Sequence, residues 1–356
     1  MPTAGVIRTV LGDIPAASLG TTLIHEHVIG DFTCDWAPES GTHLAAARVE
    51  LATLADLRRN VAAARDNLIL GDLQVAQAEL DRYRRAGGAA MVEATPSGLG
   101  RDVRALRFLA TQTGLHILAG SGYYSRQSHP YSLLRRTPED IADEIVHDIE
   151  VGIDGTDIRA GVIGELGASN PLDDVERRVL HAAALAQRTT GAAIVVHTPL
   201  GERAPLDVAR TLADLGADLT RVVISHAEAR FRSNHGLYRE LAGMGAVIGF
   251  DTFGRDLYYA SRGAQHPSDA ERVEAIVRLV DAGLGHQVAL SQDIAAKTEL
   301  ATYGGRGYDH VLVEVVPRLV RAGLTQRDVD VLLVETPARV LALAPTQASE
   351  GPRPSG

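Results

Sequence analysis

Short apolar runs recur along the chain, and helical patterns separate them. The runs are Thr22–His27 (TLIHEH), Ala89–Thr95 (AAMVEAT), His116–Gly122 (HILAGSG), Gly161–Glu165 (GVIGE), Ala192–His197 (AAIVVH), Arg221–His226 (RVVISH), Ala246–Asp251 (AVIGFD) and Gln287–Asp293 (QVALSQD). Their richness in Val, Ile, Leu and Ala fits strands buried on both faces of a parallel sheet. Between them, Asp102–Thr113 opens on an acidic residue and stops before Gly114, and Pro138–Gly152 carries Ile141, Ile145 and Ile149 on one face. Leu172–Thr190, Pro205–Leu215 and Asp269–Ala282 each run up to a glycine, the expected C-terminal stop of a helix.

Eight strands alternating with helices predict a parallel α/β fold, and the count of eight selects a (β/α)8 TIM barrel over an open doubly wound sheet. No GxGxxG follows the first strand, as a dinucleotide site would require. Gly5–Leu19 reads as a short N-terminal β-ribbon closing the barrel bottom. Tyr308–Ala322, Gln326–Val334 and Pro337–Ala344 read as extra C-terminal helices. Residues 1–345 are expected to form a single domain and 346–356 (TQASEGPRPSG) a disordered tail. With 356 residues, 45% of them hydrophobic, the chain has apolar mass for a large core.

Polar residues gather where a barrel keeps its chemistry. Six of the eight runs end in His, Glu or Asp: His25-Glu26-His27, Glu165, His197, His226, Asp251 and Asp293. The C-terminal ends of barrel strands face the active site. Side chains two apart on a strand share a side, so His25 and His27 can both reach the mouth. A lone histidine at a strand end is usually just a satisfied polar residue, but this many at independent strand ends are not coincidence. Imidazoles and carboxylates suit Zn²⁺, Mn²⁺, Co²⁺ or Fe²⁺. Four histidines and two carboxylates exceed one tetrahedral ion and suit two ions sharing a carboxylate. Asp251 is left open between a ligand and a residue that orients a loop. The other nine histidines (His43, His116, His129, His147, His181, His235, His266, His286 and His310) read as surface or structural.

The net charge of −10 leaves no basic stripe for nucleic acid. No apolar run reaches the length of a membrane span, and the N-terminus lacks a secretory pattern. The single cysteine, Cys34, excludes an intrachain disulfide and a cysteine-rich metal site. A cytoplasmic enzyme acting on a small molecule is expected. Of the 35 basic residues only Lys297 is a lysine.

At these residues the chain resembles the phosphotriesterase family of the amidohydrolase superfamily. TLIHEH, IRAGVIGELG, VVHT, VISHAE and ALSQD carry the resemblance, which spans roughly Val6 to Leu343. GRDVRALRFLA, ILAGSGYY, VDVLLVETPARVL and KTELATYGGRGYDH are closer to the phosphotriesterase-related and phosphotriesterase homology proteins than to the organophosphate hydrolases. The last of these segments implies N-acetyltaurine amide hydrolysis. Organophosphate hydrolases bridge their two metals with a carboxylated lysine on strand four. Here that strand holds no lysine, and Glu165 is the candidate bridge, which puts efficient phosphotriester hydrolysis in doubt. The resemblance also suggests a homodimer.

The expected chemistry is attack on a carbonyl by a hydroxide shared between two divalent ions, zinc first among the candidates. Ion one is assigned His25, His27 and Asp293, ion two His197 and His226, with Glu165 spanning both. Asp293 is the expected proton shuttle. Glu228 could orient a ligand, relay protons or be plain surface charge. Tyr123, Tyr124, Arg255, Lys297, Tyr303 and Arg306 are the candidate substrate-binding residues, the cations suiting an anionic group unless they pair with Asp256, Glu299 or Asp309. Amide hydrolysis of N-acyl amino acids or N-acyltaurines leads, with sugar or acyl lactones as the alternative. A binding protein without turnover would not need Asp293.

Overall fold

The computed structural model describes residues 5–38, 43–256, 258–259 and 264–345; the expected tail lies outside them. Eight parallel strands follow one another in chain order around the sheet. They are β1 (Thr22–Glu26), β2 (Ala90–Glu93), β3 (His116–Ser121), β4 (Val162–Leu166), β5 (Ala193–Val196), β6 (Val222–Ile224), β7 (Val247–Phe250) and β8 (Val288–Leu290). Each lies within the run that predicted it, save β4, which runs one residue further, and helices fill the intervals: a TIM barrel.

Backbone ladders join each strand to the next from β1 to β8. The last seam is held mainly by one side chain. Glu26, on β1, accepts from Ser291 Oγ (2.7 Å), Gln292 N (2.7 Å) and Ile294 N (3.1 Å) just past β8. The backbone adds Asp293 N to His25 O at 3.3 Å. Full burial pushes the Glu26 carboxyl up to about 7, against the pull of those donors.

Alternation divides each strand between two cores. Ile24, Val92, Leu118, Val162, Val195, Val223, Val247 and Ala289 fill the barrel interior with Ile7 and Leu19 of the N-terminal segment and Val340 and Leu341 of the last helix. Their neighbours Leu23, Met91, Ile163, Ile194, Ile224 and Ile248 pack outward on the helices. The N-terminal ribbon forms as expected, Val6–Thr9 against Gly12–Pro15. Helix Val103–Thr113 is capped by the Asp102 carboxylate and closed by Gly114 in the left-handed conformation. On Pro138–Glu150, Ile141, Ile145 and Ile149 are all buried.

Two features depart from expectation. The C-terminal helices run together: Gln326–Asp330, Val331–Glu335 and Thr336–Leu341 form one unbroken helical stretch. A widened π turn stands two residues ahead of Pro337, and another, Val311–Val315, two ahead of Pro317. Proline lacks an N–H and crowds the carbonyl four residues back, and the wider turn lets the helix pass through it. The other departure is a set of elements the sequence pattern does not mark: helices Leu54–Arg59 and Leu73–Arg85 and a short pair, Gly30–Asp31 with Ile69–Leu70, between β1 and β2, helices Ala227–Phe231 and His235–Gly243 between β6 and β7, and the pair Tyr258–Tyr259 with Ala264–Gln265 after β7. No described helix is long and apolar enough to cross a membrane.

Candidate metal centre and active site

Glu165 stands at the centre of the barrel mouth. Its Oε1 lies 3.0 Å from His197 Nδ1 and 3.4 Å from both His226 Nε2 and His25 Nε2, and its Oε2 lies 3.6 Å from His27 Nε2. One carboxylate therefore faces two histidine pairs, forming two overlapping donor groups, His25/His27/Glu165 and Glu165/His197/His226. Asp293 closes the first: its Oδ1 is 3.3 Å from His27 Nε2 and 3.6 Å from His25 Nε2.

Simple alternation would not bring these side chains together. Ile24 points into the barrel, so a regular strand would turn His25 and His27 outward. A bulge in β1, where Ile24 and His25 both face Val92, shifts the pleat and aims both histidines inward. β4 has the same irregularity between Ile163 and Leu166, which brings Glu165 inward. Gly164 makes it possible: its φ is +129°, and a Cβ there would lie 2.1 Å from the Val195 carbonyl oxygen. After β6 and β8, His226 (φ 60°) and Asp293 (φ 54°) adopt the left-handed backbone that side chains other than glycine rarely take.

Behind the ring, buried acceptors fix three of the four imidazoles, those of His25, His27 and His226. Asp251 accepts from His226 N (2.8 Å), lies 2.9 Å from His226 Nδ1 through Oδ1, and lies 3.2 Å from His25 Nδ1 through Oδ2. Ser225 Oγ lies 2.9 Å from the same His25 nitrogen. His27 Nδ1 meets Thr95 Oγ1 at 3.0 Å, and that hydroxyl donates to Glu93 at 2.7 Å. Holding Nδ1 as the N–H leaves Nε2 of all three rings as a lone pair aimed at the centre. Within the described residues, His25 Nε2 is buried and has no hydrogen-bond partner.

The charge balance also calls for a cation. Burial opposes charge on His25, yet Glu165, then Asp251 and Asp293, hold its ring well above the usual histidine range. Burial likewise opposes charge on His226, but Asp251 and Asp293 push it up to about 9. Burial and His226 lower His197. Carboxylates that draw protons onto buried imidazoles would be satisfied by metal ions, and the nitrogen–oxygen donor set fits them.

Arg255 and Tyr124 of the candidate substrate residues line the mouth. Arg255 Nη1 reaches Asp293 Oδ2 at 2.5 Å and its Nε reaches Glu299 Oε1 at 2.6 Å, so pairing with a loop acid holds here. The Tyr124 hydroxyl is 3.2 Å from His197 Nδ1. Four others lie elsewhere. Tyr123 turns away, its hydroxyl donating to Glu144 at 2.7 Å. Lys297 pairs with Asp66 at 2.7 Å and borders a shallow groove with Tyr303. Arg306 lines a neighbouring cavity. Loop backbone, which the sequence pattern does not fix, decides these directions. Glu228 touches none of the ring; it accepts from Thr252 N and Oγ1 and faces Arg272. His266, read as structural, lines the mouth, where burial and then Arg255 push its pKa down to about 2. Asp251, left open between a ligand and a residue that orients a loop, orients His226 and His25; Ser225, Thr95 and Glu93 were missed as orienting residues, although Glu93 and Thr95 end the second apolar run as the histidines end theirs.

Comparison with known proteins decides the family. Residues 5–341 match the model of the phosphotriesterase family. The chain belongs to the phosphotriesterase family. This is a family of binuclear-metal hydrolases, and the chain is accordingly a metal-dependent hydrolase. An N-acetyltaurine hydrolase of Danio rerio is 38% identical over 342 residues, covering 95% of this chain and 98% of the relative. A resiniferatoxin-binding protein from Rhodobacter sphaeroides matches with a TM-score of 0.92 and 38% identity, covering 98% of this chain and 97% of that one. A mutant phosphotriesterase-like lactonase from Deinococcus radiodurans matches with a TM-score of 0.74 and 28% identity over 94% of this chain and all of that one. Within this phosphotriesterase-family fold, β4 presents a glutamate and no lysine.

Proposed function

We propose that the chain hydrolyses the amide bond of small N-acylated amines bearing an anionic group, with two divalent ions, zinc being the favoured metal. His25, His27 and Asp293 would hold one, His197 and His226 the other, and Glu165 both. The observation that carries the reading is the Glu165 carboxylate facing all four histidines beside Asp293. The ions, when bound, supply Lewis acidity towards a carbonyl and a water acidified to near neutrality.

The chain's own groups do the rest. Burial opposes ionisation of Asp293, but Arg255 and the surrounding imidazoles hold its carboxyl well below the usual range, so it enters the reaction ionised. Held ionised by Arg255 at Oδ2, Asp293 is placed to take a proton and return it to the leaving nitrogen. An amine leaves only when protonated, so an amide needs that transfer most. The name of the Danio rerio relative supports N-acetyltaurine as the first substrate to test. Likeness to a lactonase favours lactone hydrolysis as the second reading.

Wild-type protein and Asp293→Asn should be assayed with N-acetyltaurine, an acyl lactone and an activated ester. The substitution should lower kcat for the amide at least about a hundredfold. The activated ester, whose leaving group needs no proton, should lose less. Turnover of the lactone and not of the amide would transfer the function to the second reading.

A further inference from the structure

A second cavity adjoins the active pocket. The active pocket is only about 110 Å³ in volume, below the roughly 300–1,000 Å³ usual for ligand sites. The neighbour is about 390 Å³ and shares Val61, Arg255 and Glu299 with it. A substrate larger than a short acyl group must extend beyond the first space, and this one lies behind the same wall.

The second cavity is built for a polar, anionic guest. Arg58 and Arg306 line it along with Arg255. Two acids, Asp256 and Glu299, line it as well, and Glu299 is engaged by Arg255 and by the amides of Ala295 and Ala296. Arg58 donates to the Gly304 carbonyl. Arg306 is exposed and makes no ion pair among the described residues; its stem packs on Gly254, where a Cβ would lie 3.0 Å from Arg306 Cγ. Gln292 and Thr298 also line the cavity, and both are more than nine-tenths buried. Gln292 Nε2 donates to Gly307 O at 2.6 Å, yet its Oε1 has no partner among the described residues, and neither has Thr298 Oγ1. Buried polar atoms are costly unless something meets them.

We propose that this cavity receives the anionic end of the substrate, a sulfonate or carboxylate held by Arg58 and Arg306, with Gln292 and Thr298 meeting the polar atoms next to it. The acyl group then occupies the small pocket at Glu165 and Asp293, and the scissile bond lies at the Arg255–Glu299 wall. This assignment rests on the amide-hydrolase reading.

The test pairs N-acetyltaurine with N-acetylethanolamine, the same amide ending in a hydroxyl. On metal-loaded protein, Arg58→Ala and Arg306→Ala should each raise KM for N-acetyltaurine about tenfold, with a smaller change in kcat, as lost uniform binding requires. The ratio of kcat/KM for the anionic over the neutral amide should fall in step, and further in Arg306→Glu. Calorimetric titration with taurine, which needs no turnover, should show weaker binding to Arg306→Glu than to wild type. If both the ratio and the taurine affinity stay at wild-type values, the cavity is no anion site. If neither amide is cleaved but taurine binding still depends on Arg306, the amide reading fails and the cavity's assignment stands.

Discussion

Asp251 sets two imidazoles at once, with one oxygen on His226 and the other 3.2 Å from His25. Those rings belong to different donor groups, so this carboxylate couples the two halves of the centre. Asp251→Asn keeps the shape and removes the charge that holds both Nδ1 protons. Metal affinity should fall about 10- to 100-fold, the usual cost of losing such a partner, measured by competition with a chelator. An unchanged affinity would mean that Ser225 alone orients His25 and that the backbone alone orients His226. The sequence pointed to Asp251 only by its place at a strand end, because a carboxylate that contacts ligands and one that is a ligand look alike there. His25, His27, Glu165, His197, His226 and Asp293 were legible since each is a donor type at the end of an apolar run. Ser225 and Thr95 were not, as hydroxyls of this kind occur everywhere in strands. Lys297 misled for a related reason. Its rarity drew attention, but its direction depends on Asp66, which is far away in sequence.

At the scale of elements, the strand pattern predicted the barrel and the wrong route to its site. Apolar runs of this length specify β1 to β8 well, because burial on both faces leaves few other readings. The period of two then placed His25 and His27 together, which holds, but it would have placed them outside beside Leu23. The bulges in β1 and β4 correct this, and a bulge leaves only a faint mark in sequence, here Gly164. Gly164→Ala tests the mechanism. The added methyl would lie 2.1 Å from the Val195 carbonyl on β5, at a φ that alanine resists. The substitution should cost about 2–4 kcal/mol of stability, the range of severe overpacking and backbone strain. It should also lower metal content, since Glu165 would be displaced. Thermal unfolding with a chelator present separates the two effects. Wild-type stability together with full metal content would show that β4 can aim Glu165 inward without this glycine.

Across the whole molecule, buried charge ties the loops over the mouth to the C-terminal helices. Asp269 accepts from Gly254 N (2.9 Å) in the loop after β7, pairs with Arg272 (3.0 Å), and meets His310 Nε2 at 2.7 Å. Arg272 in turn donates to the Arg255 carbonyl at 2.9 Å, so the arginine that holds Asp293 rests on this network. The sequence could not show it, for its members come from three separate segments. Burial of Asp269 opposes its charge, but the hydrogen bond from His310, the Gly254 amide and Arg272 outweigh that and lower its pKa from 3.8 to about 2. A carboxyl with a depressed folded-state pKa stabilises the fold above its unfolded value and loses that contribution as pH falls through the folded one. The shift corresponds to about 2 kcal/mol, present above pH ~4 and lost towards pH ~2. Asp269→Asn should therefore be less stable at neutral pH by at least that order, with a shallower loss on acidification below pH ~4. Urea unfolding of both proteins across that range, with a chelator in each so that the metal centre drops out of the comparison, measures the difference. Parallel losses in the two proteins would mean that the Asp269 carboxylate is not what binds the loop of Arg255 to the helices.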